Sequence, residues 1–256
     1  MMNLTPPAGG AATTPSTPAL RPWGLLASLI LFLILFEAKA PAQDYVLSAT
    51  GLQKLIEHSA ALQVVNIIAG WGLTFLLVVL AALLTNVPLA DYLGWNRPRV
   101  TDVLLGAGVI LAIYGLFVAL TLLSGDGPEF VADYRGAIAK GMSSWWYVLR
   151  YWPAIFLAAF VEESFFRGFM WRGIEAYHGR LVALLVTSIV FAAMHHNNYI
   201  RDGALVLPSV IQYLLLAFIL GWIRWRSGGT TATIVTHAVN NASLQVMPIV
   251  ASAFLP

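Results

Sequence analysis

Apolar runs long enough, or nearly long enough, to cross a bilayer recur along the whole of this chain. They fall at roughly Trp23–Phe36, Val64–Leu84, Val103–Leu123, Trp145–Tyr177, Leu181–His196, Leu205–Trp225 and Thr231–Phe254, seven in all. A hydrocarbon core of about 30 Å takes about 20 residues of helix. Lipid offers the backbone no hydrogen-bond partner, so a spanning segment is either a helix or part of a closed barrel. A barrel needs short strands of alternating polarity, and these runs are continuously apolar. The expected fold is an all-α, polytopic, integral-membrane bundle of about seven transmembrane helices. Composition agrees, with 59% of the 256 residues hydrophobic and 10% charged, against about a quarter charged in a soluble domain.

Residues 1–22 are rich in Pro, Thr, Ala and Gly with no apolar face to bury, and read as a disordered tail. The rest, 23–255, reads as one membrane domain. Arg21, the apolar run Trp23–Phe36 and the Ala-x-Ala step at Ala38 and Ala40 resemble a secretory signal peptide. A first transmembrane helix is preferred, because a multi-span protein needs no cleaved signal and the tail ahead of Arg21 is long. Leu52, Leu55, Ile56 and Leu62 recur at helical intervals among Lys54, Glu57 and His58, which suits a helix over Leu52–Leu62 lying at the interface. The connections "LADYLGWNRPR", "GDGPEFVADYRG" and "WRSGG" carry the Pro, Gly and charge of chain reversals. With the N-terminus inside, Arg21, Arg97, Arg99, Arg172, Arg180, Arg224 and Arg226 fall on the cytoplasmic side. Lys39, Lys54, Arg135, Lys140, Arg150 and Arg201 fall outside, so positive charge favours N-in by a single residue. A net charge of +2, dispersed along the chain, gives no nucleic-acid partner, and the absence of cysteine removes thiolate chemistry.

Ionisable groups inside a span cost about 2.5 to 3.5 kcal/mol at the bilayer centre, so those present are paired, face a cavity or do chemistry. Three spans carry them: the fourth holds Glu162, Glu163 and Arg167, the fifth ends in His195 and His196, and the seventh opens with His237, Asn240 and Asn241. Glu163 and Arg167 are four residues apart with the acid first, the favourable order for a helical ion pair. Glu162 points about 100° away, has no basic residue one turn off, and needs a partner from another helix; His195 and His237 are the candidates. Phe191 and His195 share a face, as do His237 and Asn241. A carboxylate, two imidazoles and a carboxamide can deprotonate a water or hold a divalent metal, while the amide donates to a developing oxyanion. Interhelical hydrogen bonding is the competing account of any one of these residues. His196 is either a support to His195 or the polar end of its span. His58, His178 and Glu175 read as solvated or headgroup-level residues, and Trp145, Trp146, Trp171, Trp222 and Trp225 as an aromatic belt.

"EESFFRG", "FAAMH" and "HAVNN" match, in order, the EExxxR, FxxxH and HxxxN motifs. The chain therefore resembles the CAAX protease and bacteriocin-processing (CPBP, or Abi) family of intramembrane endopeptidases. The resemblance covers about Trp145 to Met247, with a catalytic core at about 145–250. It implies hydrolysis of a peptide bond in a membrane-associated or lipidated substrate, by a water activated by Glu162 and His195. It further implies that His237 and Asn241 bind a metal or stabilise the oxyanion, and that Glu163 and Arg167 brace the site. Family accounts divide between a metalloprotease, with zinc the suspected ion, and a glutamate-dependent hydrolase with no metal. One Glu, two His and one Asn (Glu162, His195, His237 and Asn241) would be an unusual zinc set. The short loops resemble a bacterial member, implying an inner-membrane location.

Other chemistries have less support. HExxH is absent, Asp126 lacks an aspartyl-dyad context, and Ser143 and Ser144 lack a glycine-framed nucleophile motif. The non-proteolytic alternatives are a haem-binding membrane protein ligated by His195 and His237, and a proton-coupled transporter using Glu162 and the histidines as a relay. A catalytically dead scaffold would leave the full polar set without a role.

Overall fold

The computed structural model describes residues 23–85, 87–123, 152–201 and 203–254. The tail, the segment holding Trp145 and Trp146, and the loop with Arg135, Lys140 and Arg150 lie outside the described residues.

Helix α1 runs over Leu25–Ala49, well past the expected end of the first span at Phe36. Pro41 should interrupt it, since proline has no N–H and its ring crowds the carbonyl four residues back, here that of Glu37. The turn ahead of it, Leu33–Ala38, is wound as a π-helix, which shifts the ladder register before the proline. The polar end of α1 is then tied to the next long helix. Lys39 Nζ donates to Gly70 O at 3.0 Å, and Gln43 Nε2 donates to Asn66 Oδ1 at 2.7 Å.

The expected helix over Leu52–Leu62 divides. A short α2, Leu52–Glu57, is followed by α3, Ala60–Leu83. Ser59 stands at the N-cap of α3 with its hydroxyl accepting from Leu62 N. A one-turn α4, Leu89–Leu93, ends on Gly94 at φ +69 and leads to α5, Val100–Leu123. Next comes a long helical stretch that Gly179 (φ 82, ψ 170) breaks into two limbs, α6 (153–178) and α7 (180–194). A two-residue hairpin, β1 (Ile200–Arg201) with β2 (Ala204–Leu205), leads to α8, Leu207–Ser227, and α9, Thr231–Phe254.

Among the described residues five stretches have the length and apolarity of a membrane span: Leu25–Ala49, Ala61–Leu83, Val100–Leu120, Ile155–Met194 and Leu207–Ser227. The fourth is 40 residues long, about 60 Å of helix and twice a hydrocarbon core, so the break at Gly179 falls where a chain reversal is needed. This is the all-α membrane bundle expected. Exposed Leu76, Leu80, Leu104, Leu111 and Leu116 give α3 and α5 the apolar outer faces that suit lipid.

The core lies where α1, α4 and α6 meet. Phe36 packs on Phe165 and Phe166, with ring centroids 5.2 and 5.5 Å apart, and Phe169 meets Trp23 and Tyr92. Trp171 belongs to this core rather than to an aromatic belt. It is 1% exposed, its Nε1 donates to Glu175 Oε2 at 3.0 Å, and Arg224 lies over its ring. Those two polar partners let the indole bury fully, which an anchor at the membrane surface would not do. Trp222 and Trp225 stay exposed as expected. Close helix crossings depend on small residues, as is usual in membranes. A Cβ on Gly106 of α5 would sit 2.0 Å from Thr236 Oγ1 of α9, and one on Gly168 of α6 would sit 2.6 Å from Leu93 O.

Candidate active site

The motif residues of α6 lie where the helix changes its winding. Ala158–Glu163 is α-helical and Ser164–Met170 is a π-helix. Widening a turn to i→i+5 bonding releases a carbonyl from the ladder, and the Arg167 carbonyl is taken by Arg224 Nε of α8 at 2.7 Å. Arg224, expected at the cytoplasmic surface, is instead 7% exposed. The freed acceptor and the Trp171 ring together accommodate its guanidinium.

Glu163 and Arg167 form the expected pair, with Nη1 to Oε1 at 3.1 Å and both side chains fully buried. Arg167 Nη2 also donates to Ala217 O at 2.9 Å, and the guanidinium carbon lies 4.5 Å from the centroid of Phe191. Neutralised by Arg167, Glu163 reaches across to α9, where its Oε1 accepts from His237 Nδ1 at 3.0 Å. That bond fixes the tautomer, because a carboxylate shared with an arginine can only accept. The other ring nitrogen of His237, Nε2, lies 3.9 Å from Glu162 Oε2. The interhelical partner that Glu162 needed is His237. Oε2 of Glu162 is buried and makes no direct hydrogen bond within the described residues.

His195 closes α7. Its Nδ1 lies 2.8 Å from Phe191 O, and since a carbonyl only accepts, Nδ1 carries the proton and Nε2 is available. The ring stacks on Tyr213 of α8 at 4.6 Å and 21°, and Phe191 touches both imidazoles, with centroids 4.7 Å from His195 and 5.6 Å from His237. Phe191 thus packs between the two histidines while also lying under Arg167. Asn241 is one turn beyond His237 on α9, and its Oδ1 accepts from Asn240 Nδ2 at 3.2 Å. Asn240 Oδ1 in turn accepts from Tyr114 of α5, also at 3.2 Å. His196 is the polar end of its span: it starts the turn His196–Asn198, and its Nδ1 lies 3.3 Å from Ala193 O.

The site is held in register by a brace that no motif announces. Thr230, just ahead of α9, donates its hydroxyl to Leu93 O at 2.7 Å and its amide to Gly94 O at 2.7 Å. Leu93 O is also the atom against which Gly168 packs, so α4 ties the helix of the glutamates to the helix of His237. A second tie lies at Asp102, buried at the head of α5, whose carboxylate takes Arg99 Nε and Arg226 Nε at 2.9 Å each. His58 and His178 lie exposed, and Glu175 is occupied by Arg180 at 2.6 Å, so none of the three joins the site.

Zinc takes at least three protein donors. Among the described residues no three His, Cys, Asp or Glu side chains lie together in a metal-holding group, although the bond from His237 Nδ1 to Glu163 is the kind a metal-bound imidazole makes through its other nitrogen. The chemistry below is derived from the protein's own groups and water.

Tyr114, Tyr213 and Arg224 are site residues that sequence reasoning missed, and Asn240, noted among the polar residues of its span, was given no role. The doubled Asn240–Asn241 was the one visible cue. Tyr114 and Tyr213 look like ordinary aromatic residues of apolar runs, and Arg224 like a loop cation.

Comparison with curated proteins and with solved structures returned no significant match. Residues 144–243, which contain every motif residue above, match the family model described as Type II CAAX prenyl endopeptidase Rce1-like. The segment that carries the site belongs to the CAAX protease and bacteriocin-processing family, and marks the protein as a CAAX-type intramembrane endopeptidase.

Proposed function

We propose that this protein hydrolyses a peptide bond of a membrane-associated or lipidated substrate with a water held between Glu162 and His237. The observation that carries the reading is the 3.9 Å gap between Glu162 Oε2 and His237 Nε2. With Glu162 ionised and the His237 ring neutral, both atoms are acceptors, and two buried acceptors facing each other call for a donor between them. A water about 2.8 Å from each would give one proton to either, leaving a lone pair free for a carbonyl carbon.

Glu162 then takes a proton as the water oxygen forms its bond to the carbonyl carbon. The charge that develops on the carbonyl oxygen falls to neutral donors, with the Asn241 amide as the candidate. Collapse of the tetrahedral intermediate breaks the C–N bond, and the proton held on Glu162 passes to the departing amine, restoring the carboxylate. His195, presenting Nε2 from the end of α7, assists the proton transfers. Glu163 and Arg167 act at one remove by fixing the His237 ring. The lipid bilayer and an apolar substrate segment are the partners this chemistry needs, and a bacterial inner membrane is the setting proposed.

The test is cleavage of a panel of prenylated and unmodified peptides by detergent-purified protein, with metal content measured on the same samples. Glu162→Gln and His195→Asn should abolish cleavage of a peptide the wild type cuts, while His58→Ala should leave it unchanged. A Glu162→Gln variant as active as wild type would remove the glutamate from the mechanism. Stoichiometric metal lost in the Glu162 and His237 variants would replace the water-only scheme with a metal-assisted one.

A further inference from the structure

We propose that Tyr213 of α8 is a positioning residue for His195: its ring, stacked on the imidazole, sets the direction in which Nε2 faces the site. The inference rests on the functional reading above and deepens it. Tyr213 lies between the FxxxH and HxxxN motifs and belongs to neither.

The two imidazoles of the site are held by different means. His237 is gripped by a buried carboxylate, that of Glu163, at 3.0 Å. Among the described residues His195 has only a carbonyl of its own helix, with Nδ1 2.8 Å from Phe191 O. It stands where α7 ends, with non-helical backbone at φ −89 and ψ 18, and the turn His196–Asn198 follows it. An imidazole bonded through one nitrogen can still pivot about that bond, and the pivot swings the other nitrogen away from its target. Packing on the faces of the ring is what resists the pivot. Phe191 lies against it at 4.7 Å but tilted by 39°, whereas Tyr213 lies nearly parallel to it at 4.6 Å and 21°. A close parallel pair opposes rotation of either ring, because tilting one drives its edge into the face of the other. The Tyr213 hydroxyl is hydrogen-bonded to the side chain of Asn198, so the same residue holds the ring of His195 and the turn beyond it.

Tyr213 reaches His195 because α8 is docked on α7 turn by turn. Tyr213, Ala217, Gly221 and Arg224 follow at i, i+4, i+8 and i+11 on one face of α8. At Gly221 the helices approach closely, and a Cβ there would sit 2.4 Å from Leu184 Cδ1 of α7. One turn away, Ala217 O accepts from Ser188 Oγ of α7 at 3.1 Å and from Arg167 Nη2 of α6 at 2.9 Å. The next turn of these antiparallel helices brings Tyr213 to the end of α7 and onto His195. Tyr199 folds the chain after His195 back on the same helix: its hydroxyl donates to Ala192 O at 3.1 Å, and its ring lies 6.2 Å from that of Tyr213.

A tyrosine that served only packing would matter for stability and leave kcat alone in any variant that folds. A positioning ring lowers kcat at unchanged KM when its face is lost, and phenylalanine restores it. With a peptide the wild type cleaves, Tyr213→Phe should turn over as wild type. Tyr213→Leu, which fills much of the space but offers no flat face, should lower kcat about three- to tenfold at unchanged KM, the worth of one aromatic pair. Tyr213→Met takes its place, with the same expectation, if the leucine variant does not fold. An equal loss in Tyr213→Phe would assign the effect to the hydroxyl and overturn the proposal. A raised KM at unchanged kcat would overturn it too, by placing Tyr213 in substrate binding. Tyr213→Leu turning over as wild type, in a preparation that Glu162→Gln inactivates, overturns the positioning role and leaves the hydrolase reading standing. Activity indifferent to Glu162→Gln overturns the reading instead. The positioning role is then judged without any substrate on 15N-histidine-labelled protein, with the His195 ring signals identified by their loss in His195→Asn. Nδ1 and Nε2 keep well-separated shifts while one tautomer is held, and these should draw together in Tyr213→Leu but not in Tyr213→Phe. Signals unmoved in Tyr213→Leu overturn it.

Discussion

Glu162 and Glu163 are neighbours of the same chemistry, and the structure assigns them opposite energetic roles. In Glu163→Gln the carboxylate that compensates Arg167 is lost. Arg167 is fully buried, and among the described residues its guanidinium keeps Ala217 O and the faces of Phe191 and Phe166 as partners. Removing one member of a buried ion pair costs about 3 to 5 kcal/mol, because the remaining charge is uncompensated. The glutamine oxygen can still accept from Arg167 or His237, which places the expected loss toward the lower figure. At about 2 to 4 °C per kcal/mol for a chain of this size, the midpoint of thermal unfolding in detergent should fall by about 6 to 20 °C. Glu162→Gln should behave in the reverse way. Among the described residues its Oε2 has no direct hydrogen bond, and the imidazole of His237 lies 3.9 Å away. Neutralising a buried, uncompensated carboxylate removes a desolvation cost, so the midpoint should stay level or rise while cleavage is lost. The assay is a thermal melt of both variants beside wild type, with peptide cleavage on the same preparations. A Glu163→Gln midpoint within 2 °C of wild type, or a Glu162→Gln midpoint as depressed as that of Glu163→Gln, would refute the division of roles.

Three further outcomes follow from contacts already described. Gly106→Ala places a methyl 2.0 Å from Thr236 Oγ1; separating α5 from α9 should cost about 1 to 3 kcal/mol and lower turnover by displacing His237, and a variant with wild-type melting and turnover would discount the crossing. Arg224→Met keeps much of the stem that packs on Trp171 but removes the donor to Arg167 O. The orphaned carbonyl should cost about 1 to 3 kcal/mol in a urea or thermal series, and unchanged stability would mean that the π-turn does not need the bond. Tyr92, outside the spans, accepts from Trp23 N at 3.0 Å, and burial pushes its phenol up to about 12. The folded state then favours the protonated phenol, so this contribution is intact below the unfolded value near 10 and is lost as pH rises toward 12. Tyr92→Phe should flatten that alkaline limb of the stability profile, and a limb of unchanged depth would assign it to other groups.

Much of the site was legible because helical spacing records which residues share a face. The four-residue step from Glu163 to Arg167 yields their ion pair, and the lack of any base one turn from Glu162 yields its need for an interhelical partner. Apolar run length likewise settles a membrane bundle before any contact is known. Run length did not mark the ends. α1 continues to Ala49 because a π-turn carries it past Pro41, and Gly179 divides 40 residues of otherwise continuous helix.

The partner of each polar group was decided by tertiary structure alone. Glu163 and His237 are 74 positions apart, Arg167 and Arg224 57, and Tyr114 and Asn240 126. Nothing local ties such pairs, since periodicity fixes a side chain's face but leaves open which helix is packed there and at what height. Those choices follow from close approach at Gly106 and Gly168 and from the brace through Leu93 O and Thr230. The sequence by itself determined that a costly set of acids, imidazoles and amides is retained within apolar helices. Only the packed bundle decided that Glu163 holds His237, that Glu162 is left facing it across 3.9 Å, and that a tyrosine from α5 joins them.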